Sequence, residues 1–116
     1  MIFRPENQLL YRAAEQAILA LFPDTEIRET KTQVGFFRGC GFAWASERGK
    51  RFILTIGGRE RIRSPRIHQA AEPYPGRWTN HIILNSPEEM DDEIMGWISD
   101  AYEFAAERAF RRGKKE

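Results

Sequence analysis

Arg77–Trp78–Thr79–Asn80–His81–Ile82–Ile83–Leu84–Asn85 followed by Ser86–Pro87–Glu88–Glu89 is the stretch that decides the fold. Its first half is rich in β-branched and aromatic residues and reads as a strand. Its second half is a helix start: Ser86 stands at the cap, Pro87 at the first helical position, and Glu89 three residues after Ser86 completes a capping box. Beyond it Met90, Ile94, Trp97, Ile98, Ala101 and Ala105 fall on one helical face, so a long C-terminal helix is expected with Trp97 largely buried. Acids crowd the first turns of that helix, and Arg108, Arg111 and Arg112 stand in its last, the order that complements a helix dipole. Gly113 and the tail Lys114–Lys115–Glu116 are expected to fray.

Working back from this unit, a first helix is predicted from about Glu6 to Leu21. Leu10, Ala13, Ala14, Ala17, Ile18 and Leu21 share one face, Pro5 suits the first turn, and Pro23 stops the helix. The middle of the chain reads as strands. Glu26–Thr30 is a short edge strand, and Gln33–Arg38 sets Val34 and Phe36 on one face. Gly39–Cys40–Gly41 is a turn signal. Phe42–Ser46 places Phe42 and Trp44 together, Glu47–Arg48–Gly49–Lys50 is a hairpin turn, and Arg51–Ile56 alternates Phe52, Leu54 and Ile56 against Ile53 and Thr55. Short turns between these strands imply antiparallel pairing. Gly57–Gly58 opens an irregular segment, Arg59–Arg77, in which Ser64–Pro65 is suited to cap a short helix through about Ala71. The expectation is an α+β domain over residues 1–112. It has an antiparallel sheet of about four to five strands, packed on an N-terminal and a long C-terminal helix.

The totals agree with one such domain. The chain has 116 residues, 41% hydrophobic and 30% charged, which fits a globular domain and not a disordered or membrane-spanning one. No apolar run approaches the roughly 20 residues of a membrane span, and the first residues lack the basic flank and apolar core of a signal peptide. With Cys40 the only cysteine, an internal disulfide and a four-cysteine zinc site are excluded, and a bacterial-type cytoplasmic protein fits best. The net charge of +1 conceals an uneven layout. Residues 31–85 carry 10 basic and 3 acidic groups, whereas residues 86–107 carry 8 acidic groups and no basic one.

The motifs that would carry chemistry fail on inspection. Pro23–Asp24 and Glu29–Thr30–Lys31 echo a metal-dependent nuclease signature, but too few residues separate them to place the acids on two paired strands. The acids Glu88, Glu89, Asp91, Asp92 and Glu93 fan around a helix and suit its dipole better than a cation. His68 and His81 lack any zinc-ligand spacing, and Cys40 in a tight Gly-Cys-Gly turn is a poor nucleophile candidate. No catalytic residue, metal or cofactor is therefore assigned. What remains is an Arg-rich surface interleaved with Phe37, Tyr74 and Trp78. If Arg59–Arg63 is extended, Arg59, Arg61 and Arg63 point to one side and suit phosphate or carboxylate. Against this stands a solvated sheet edge, where such charges simply oppose aggregation.

A family resemblance rests on residues already quoted. Leu10–Tyr11, Lys31–Thr32–Gln33–Val34–Gly35–Phe36, Phe42–Ala43, the strand and cap from Arg77 to Asp91, and Trp97–Ile98–Ser99–Asp100–Ala101–Tyr102 resemble the domain of unknown function numbered 5655, over roughly Leu9 to Ala106. Members within larger proteins are often labelled predicted transport proteins. The strand, cap and helix also resemble the broader MmcQ/YjbR-like proteins. That likeness implies two helices on an antiparallel sheet, and DNA binding has been proposed for those proteins. The family pattern carries Lys31 and His81 over as polar positions and brings no catalytic residue with it. The leading expectation is a non-enzymatic binding module for an anionic ligand or nucleic acid, centred on Lys31, Arg59, Arg61, Arg63, Arg77 and His81. A protein–protein or homodimer module ranks second and an enzyme third; no membrane partner is expected.

Overall fold

The computed structural model describes residues 2–114, with side chains to residue 112. The order of elements is α1 (Pro5–Leu21), β1 (Glu26–Glu29), β2 (Gln33–Arg38), β3 (Cys40–Arg48), β4 (Arg51–Gly58), β5 (Gln69–Tyr74), β6 (Arg77–Leu84), a 3-10 turn (Pro87–Glu89) and α2 (Asp92–Lys114). The six strands form one antiparallel sheet in the order β1-β2-β3-β4-β6-β5. The α+β architecture of two helices on an antiparallel sheet is as expected, with one strand more. The additional strand is β5, where a short helix was expected. Pro73 and Pro75 argue against a central strand, but an edge position leaves an unpaired side where a missing N–H costs nothing. The apolar β6 takes the inner place, opposite Phe52, Leu54 and Ile56 of β4.

Both helices cover the same face of the sheet. Val34, Phe36, Ala43, Ala45, Phe52, Leu54, Ile56, Ile82 and Leu84 point to that side and are buried, joined by Ile94, Ile98, Ala101 and Ala105 of α2 and Leu10, Tyr11, Ala14 and Ile18 of α1. The buried stripe of α1 is rotated from the expected one. Asn7 and Tyr11 lie in it, Asn7 donating from Nδ2 to Glu47 Oε2 at 2.6 Å, whereas Leu21 is exposed. Trp97 is only partly buried, because it sits on the flank of α2 rather than under it.

Two turns are as tight as their glycines permit. Gly49 has φ +62°, and Gly39 has φ +75° with its Cα face against Ala109 of α2. At the second turn the strand resumes at once, so Cys40 and Gly41 belong to β3. The pairing then slips: Phe37 faces Gly41 and Phe36 faces Ala43, leaving Phe42 as a bulged residue. The bulge resets the alternation. Phe42 turns into the core against Phe22 and Tyr102, while Trp44 emerges on the opposite face, so the two are not together as expected.

The start of α2 also differs. The Ser86–Glu89 capping box closes only the 3-10 turn, where the Glu89 carboxylate accepts from the amides of Asn85 (2.7 Å) and Ser86 (2.9 Å). The long helix is capped by Asp91, whose Oδ1 accepts from the Ile94 amide at 3.1 Å. The helix continues through Gly113 to Lys114; Lys115 and Glu116, the rest of the tail expected to fray, lie outside the described residues.

Candidate functional site

The segment after β4 is held by one buried side chain. Asn80 is 0% exposed on the helix-covered face of β6, opposite Ile56. Its Oδ1 accepts from the Ile62 amide at 2.9 Å, and its Nδ2 donates to the carbonyls of Ile56 (3.4 Å) and Glu60 (3.5 Å). These bonds fold residues 59–63 toward α2. Arg66 extends the contact, bonding Asp91 and Glu93 through Nη1 at 2.9–3.0 Å and lying 6.0 Å over the Trp97 ring. The Ile94 amide, and then Arg66, hold the Asp91 carboxyl below the usual carboxylate range.

Between this segment, α2 and the Gly57–Gly58 end of the sheet lies a cleft of about 740 Å³. Arg59, Arg61 and Arg63 line it, but so do Glu60, Asp100 and Glu103, together with Trp78, Trp97 and Phe104. Charge there is balanced. Arg59 is already committed: it pairs with Glu107 at 2.9 Å and lies 4.8 Å over the Phe104 ring. Arg61 and Arg63 are exposed in coil, so the segment is not an extended strand edge.

A second cavity, about 280 Å³, adjoins it across Gly57, Gly58, Trp78 and Phe104. Among the described residues its lining holds no acid. Arg77 and Arg108 are its charged residues, set among Trp44, Tyr74, Trp78 and Phe104. Arg77 lies 5.7 Å over the Tyr74 ring and Arg108 5.5 Å over Phe104. Among the described residues, Arg108 Nε is the one buried side-chain polar atom that lacks a hydrogen-bond acceptor.

Of the residues expected from sequence, the structure gathers Arg59, Arg61, Arg63 and Arg77 at the Gly57–Gly58 end of the sheet. Lys31 lies in the β1–β2 turn, beyond the opposite end of the strands. His81 is in mid-sheet on the uncovered face, where its Nδ1 meets Thr55 Oγ1 at 2.8 Å; burial, then Arg48 and His68, push its pKa down. Neither joins the cavities. Sequence reasoning missed Arg108, which reads as a complement to the helix dipole. Its signal is its place four residues after Phe104, on the flank of the Ala101–Ala105 stripe. Asp24, half of the rejected nuclease motif, is occupied otherwise: it accepts from the Tyr102 hydroxyl at 2.9 Å and pairs with Arg38 at 2.9 Å. Among the described residues no three His, Cys, Asp or Glu converge as a metal site, and no helix is long and apolar enough to cross a membrane.

No curated protein and no solved structure matches this chain. One family model does, over residues 4–105, and it covers α1, the whole sheet and most of α2. The chain that builds these two adjoining cavities on a helix-covered antiparallel sheet belongs to the family described as Domain of unknown function (DUF5655).

Proposed function

We propose that this protein is a non-enzymatic binding module for an anionic ligand that carries an aromatic ring, held in the cavity of Arg77 and Arg108. The observation that carries the reading is a cavity lined by Arg77, Arg108 and rings and, among the described residues, by no acid; the Arg108 Nε, buried at its wall, has no acceptor. A buried donor left unmet costs about 1–3 kcal/mol, which an anion's oxygen would recover once the guanidinium turns its Nε edge to the cavity. Rings that face a guanidinium give a flat partner two further contacts, stacking and cation–π. Arg61 and Arg63 at the mouth of the larger cleft supply the outer cationic rim.

The likeness of the strand–cap–helix unit to MmcQ/YjbR-like proteins supports the same class of ligand by fold analogy alone. A cytoplasmic, bacterial setting suits a chain whose single thiol, Cys40, is buried and free. Calorimetric titration with adenosine monophosphate and with inorganic pyrophosphate tests the reading. Saturable binding is expected, weakened tenfold or more by Arg77→Ala or Arg108→Ala, the scale of a lost hydrogen bond to a charged group. Arg61→Ala with Arg63→Ala weakens it less. No binding of either probe overturns the reading and moves preference to self-association, read from mass against concentration.

A further inference from the structure

The face of the sheet opposite the helices has a surface of its own. Strand alternation places Arg28, Gly35, Trp44, Thr55, His81 and Gln69 in one row across all six strands. Both helices and the 59–63 segment lie on the other side, so no described element covers this row. Trp44 lies flat on the backbone. A Cβ built on Gly35 would come 3.1 Å from its Cδ1, one on Gly41 would collide with its Cζ2, and one on Gly57 would meet its Cζ3 at 3.6 Å. Those three atoms span the indole, so one ring face rests on three glycines and the other turns outward. Phe37 is laid down in the same way, its Cε1 2.6 Å from where a Gly35 Cβ would be, and its outer face carries the Arg28 guanidinium at 4.3 Å.

The charge on this face is as one-sided as its rings. The register assigns Arg28, Arg48 and Arg51 to it along with His81, against Glu26 alone, which is paired with Arg28. The acids of α2 are on the far side of the sheet. Trp44 also lines the Arg77–Arg108 cavity, so the open face and the cavity are continuous. Flat rings on an uncovered sheet, bordered by arginines, match the chemistry of unpaired bases strung on a phosphate backbone. A duplex buries its base faces and gives Trp44 nothing to stack on.

We infer that the open face of the sheet is a track for single-stranded nucleic acid, with one base stacked on Trp44 and the backbone running along Arg48 and Arg51. The inference rests on the reading of the cavity as an anion site and extends it to a ligand class. Anisotropy titrations of fluorescent ten-residue oligo-dT and oligo-U, and of a ten-base-pair duplex, test it between low and moderate salt. Single strands are expected to bind more tightly than the duplex. Trp44→Leu, which keeps the glycines covered, is expected to weaken binding roughly 5- to 150-fold, the range for loss of one stacked base. Arg48→Ala with Arg51→Ala, on an exposed hairpin tip, is expected to reduce the slope of log affinity against log salt by about 1.4. If oligomers bind but neither change matters while Arg77→Ala and Arg108→Ala abolish binding, the track is refuted and the cavity reading stands. Equal affinity for the duplex, or no oligomer binding at low salt, also refutes the track; the mononucleotide and pyrophosphate titrations then decide the cavity reading separately.

Discussion

Asn80 shows how much a single polar residue decides in this molecule. It is the polar side chain with no exposure at all in the core, and its three bonds join β6, the end of β4 and the segment that walls the larger cleft. Asn80→Ala removes the acceptor for the Ile62 amide, and an orphaned donor of this kind costs about 1–3 kcal/mol. The same substitution frees residues 59–63, so faster amide exchange at Ile62 is expected by NMR together with the lost stability. Unchanged exchange at Ile62 would show that the segment is held by something else. In the sequence Asn80 is one of four polar residues in β6, with Arg77, Thr79 and His81; only its burial opposite Ile56 reveals that it is a clamp. Trp44 is a similar case, since its outward face follows from a bulge at Phe42 that no local pattern announces.

At the scale of elements, the link from β6 into α2 divides one expected helix start into two caps. Ser86 and Glu89 serve a three-residue turn, and Asp91 serves the 23-residue helix. Ser86→Ala is therefore expected to cost no more than about 1 kcal/mol. Asp91→Asn and Asp91→Ala should lower the urea midpoint further, since Asp91 also holds Arg66. The pH dependence carries the sign. The Asp91 carboxyl is depressed in the folded protein, so its contribution is present above the ordinary carboxylate value and is lost as pH falls through the depressed one. The gap between wild type and Asp91→Asn should be full near neutrality and close on acidification. A gap that widens in acid would contradict the assignment of the cap.

For the whole molecule, stability is drawn from the helix-covered side of the sheet, and the proposed single-strand track lies on the other. The core between the sheet and the helices holds Ile98 at 0% exposure, and Ile98→Ala is expected to cost about 2–5 kcal/mol in chemical denaturation. Trp97→Ala should cost less than a fully buried aromatic truncation, because the indole lines the cleft and is partly solvated. If Trp97→Ala proved the more costly of the two, the boundary drawn here between core and cleft would be misplaced. The division also accounts for the charge layout. Eight acids fall in residues 86–107, at the start of the helical layer and, as Asp100, Glu103 and Glu107, on the flank of α2 toward the larger cleft and Arg59, and the arginines of the strands are left to the open face and the Gly57–Gly58 end.

What the sequence determined by itself is what depends on near neighbours. The apolar spacing from Leu10 to Ile18 makes α1, the alternation of Phe52, Leu54 and Ile56 makes β4, and Gly39 and Gly49 permit the turns at positive φ. The cations Arg61, Arg63 and Arg77 stood out as candidates because charge and aromatics crowd that part of the chain, and the structure places them in the lining of two adjoining cavities. Tertiary structure alone decided where those pieces meet. It set β6 between β4 and β5, moved the Pro-bearing strand to an edge, turned Trp44 away from Phe42, and brought Arg108 into one cavity with Arg77 across 31 positions of sequence. The reason is physical: a strand's neighbour and register are chosen by the apolar area that the whole sheet buries against both helices. That sum runs over residues far apart in the chain, and no local window contains it.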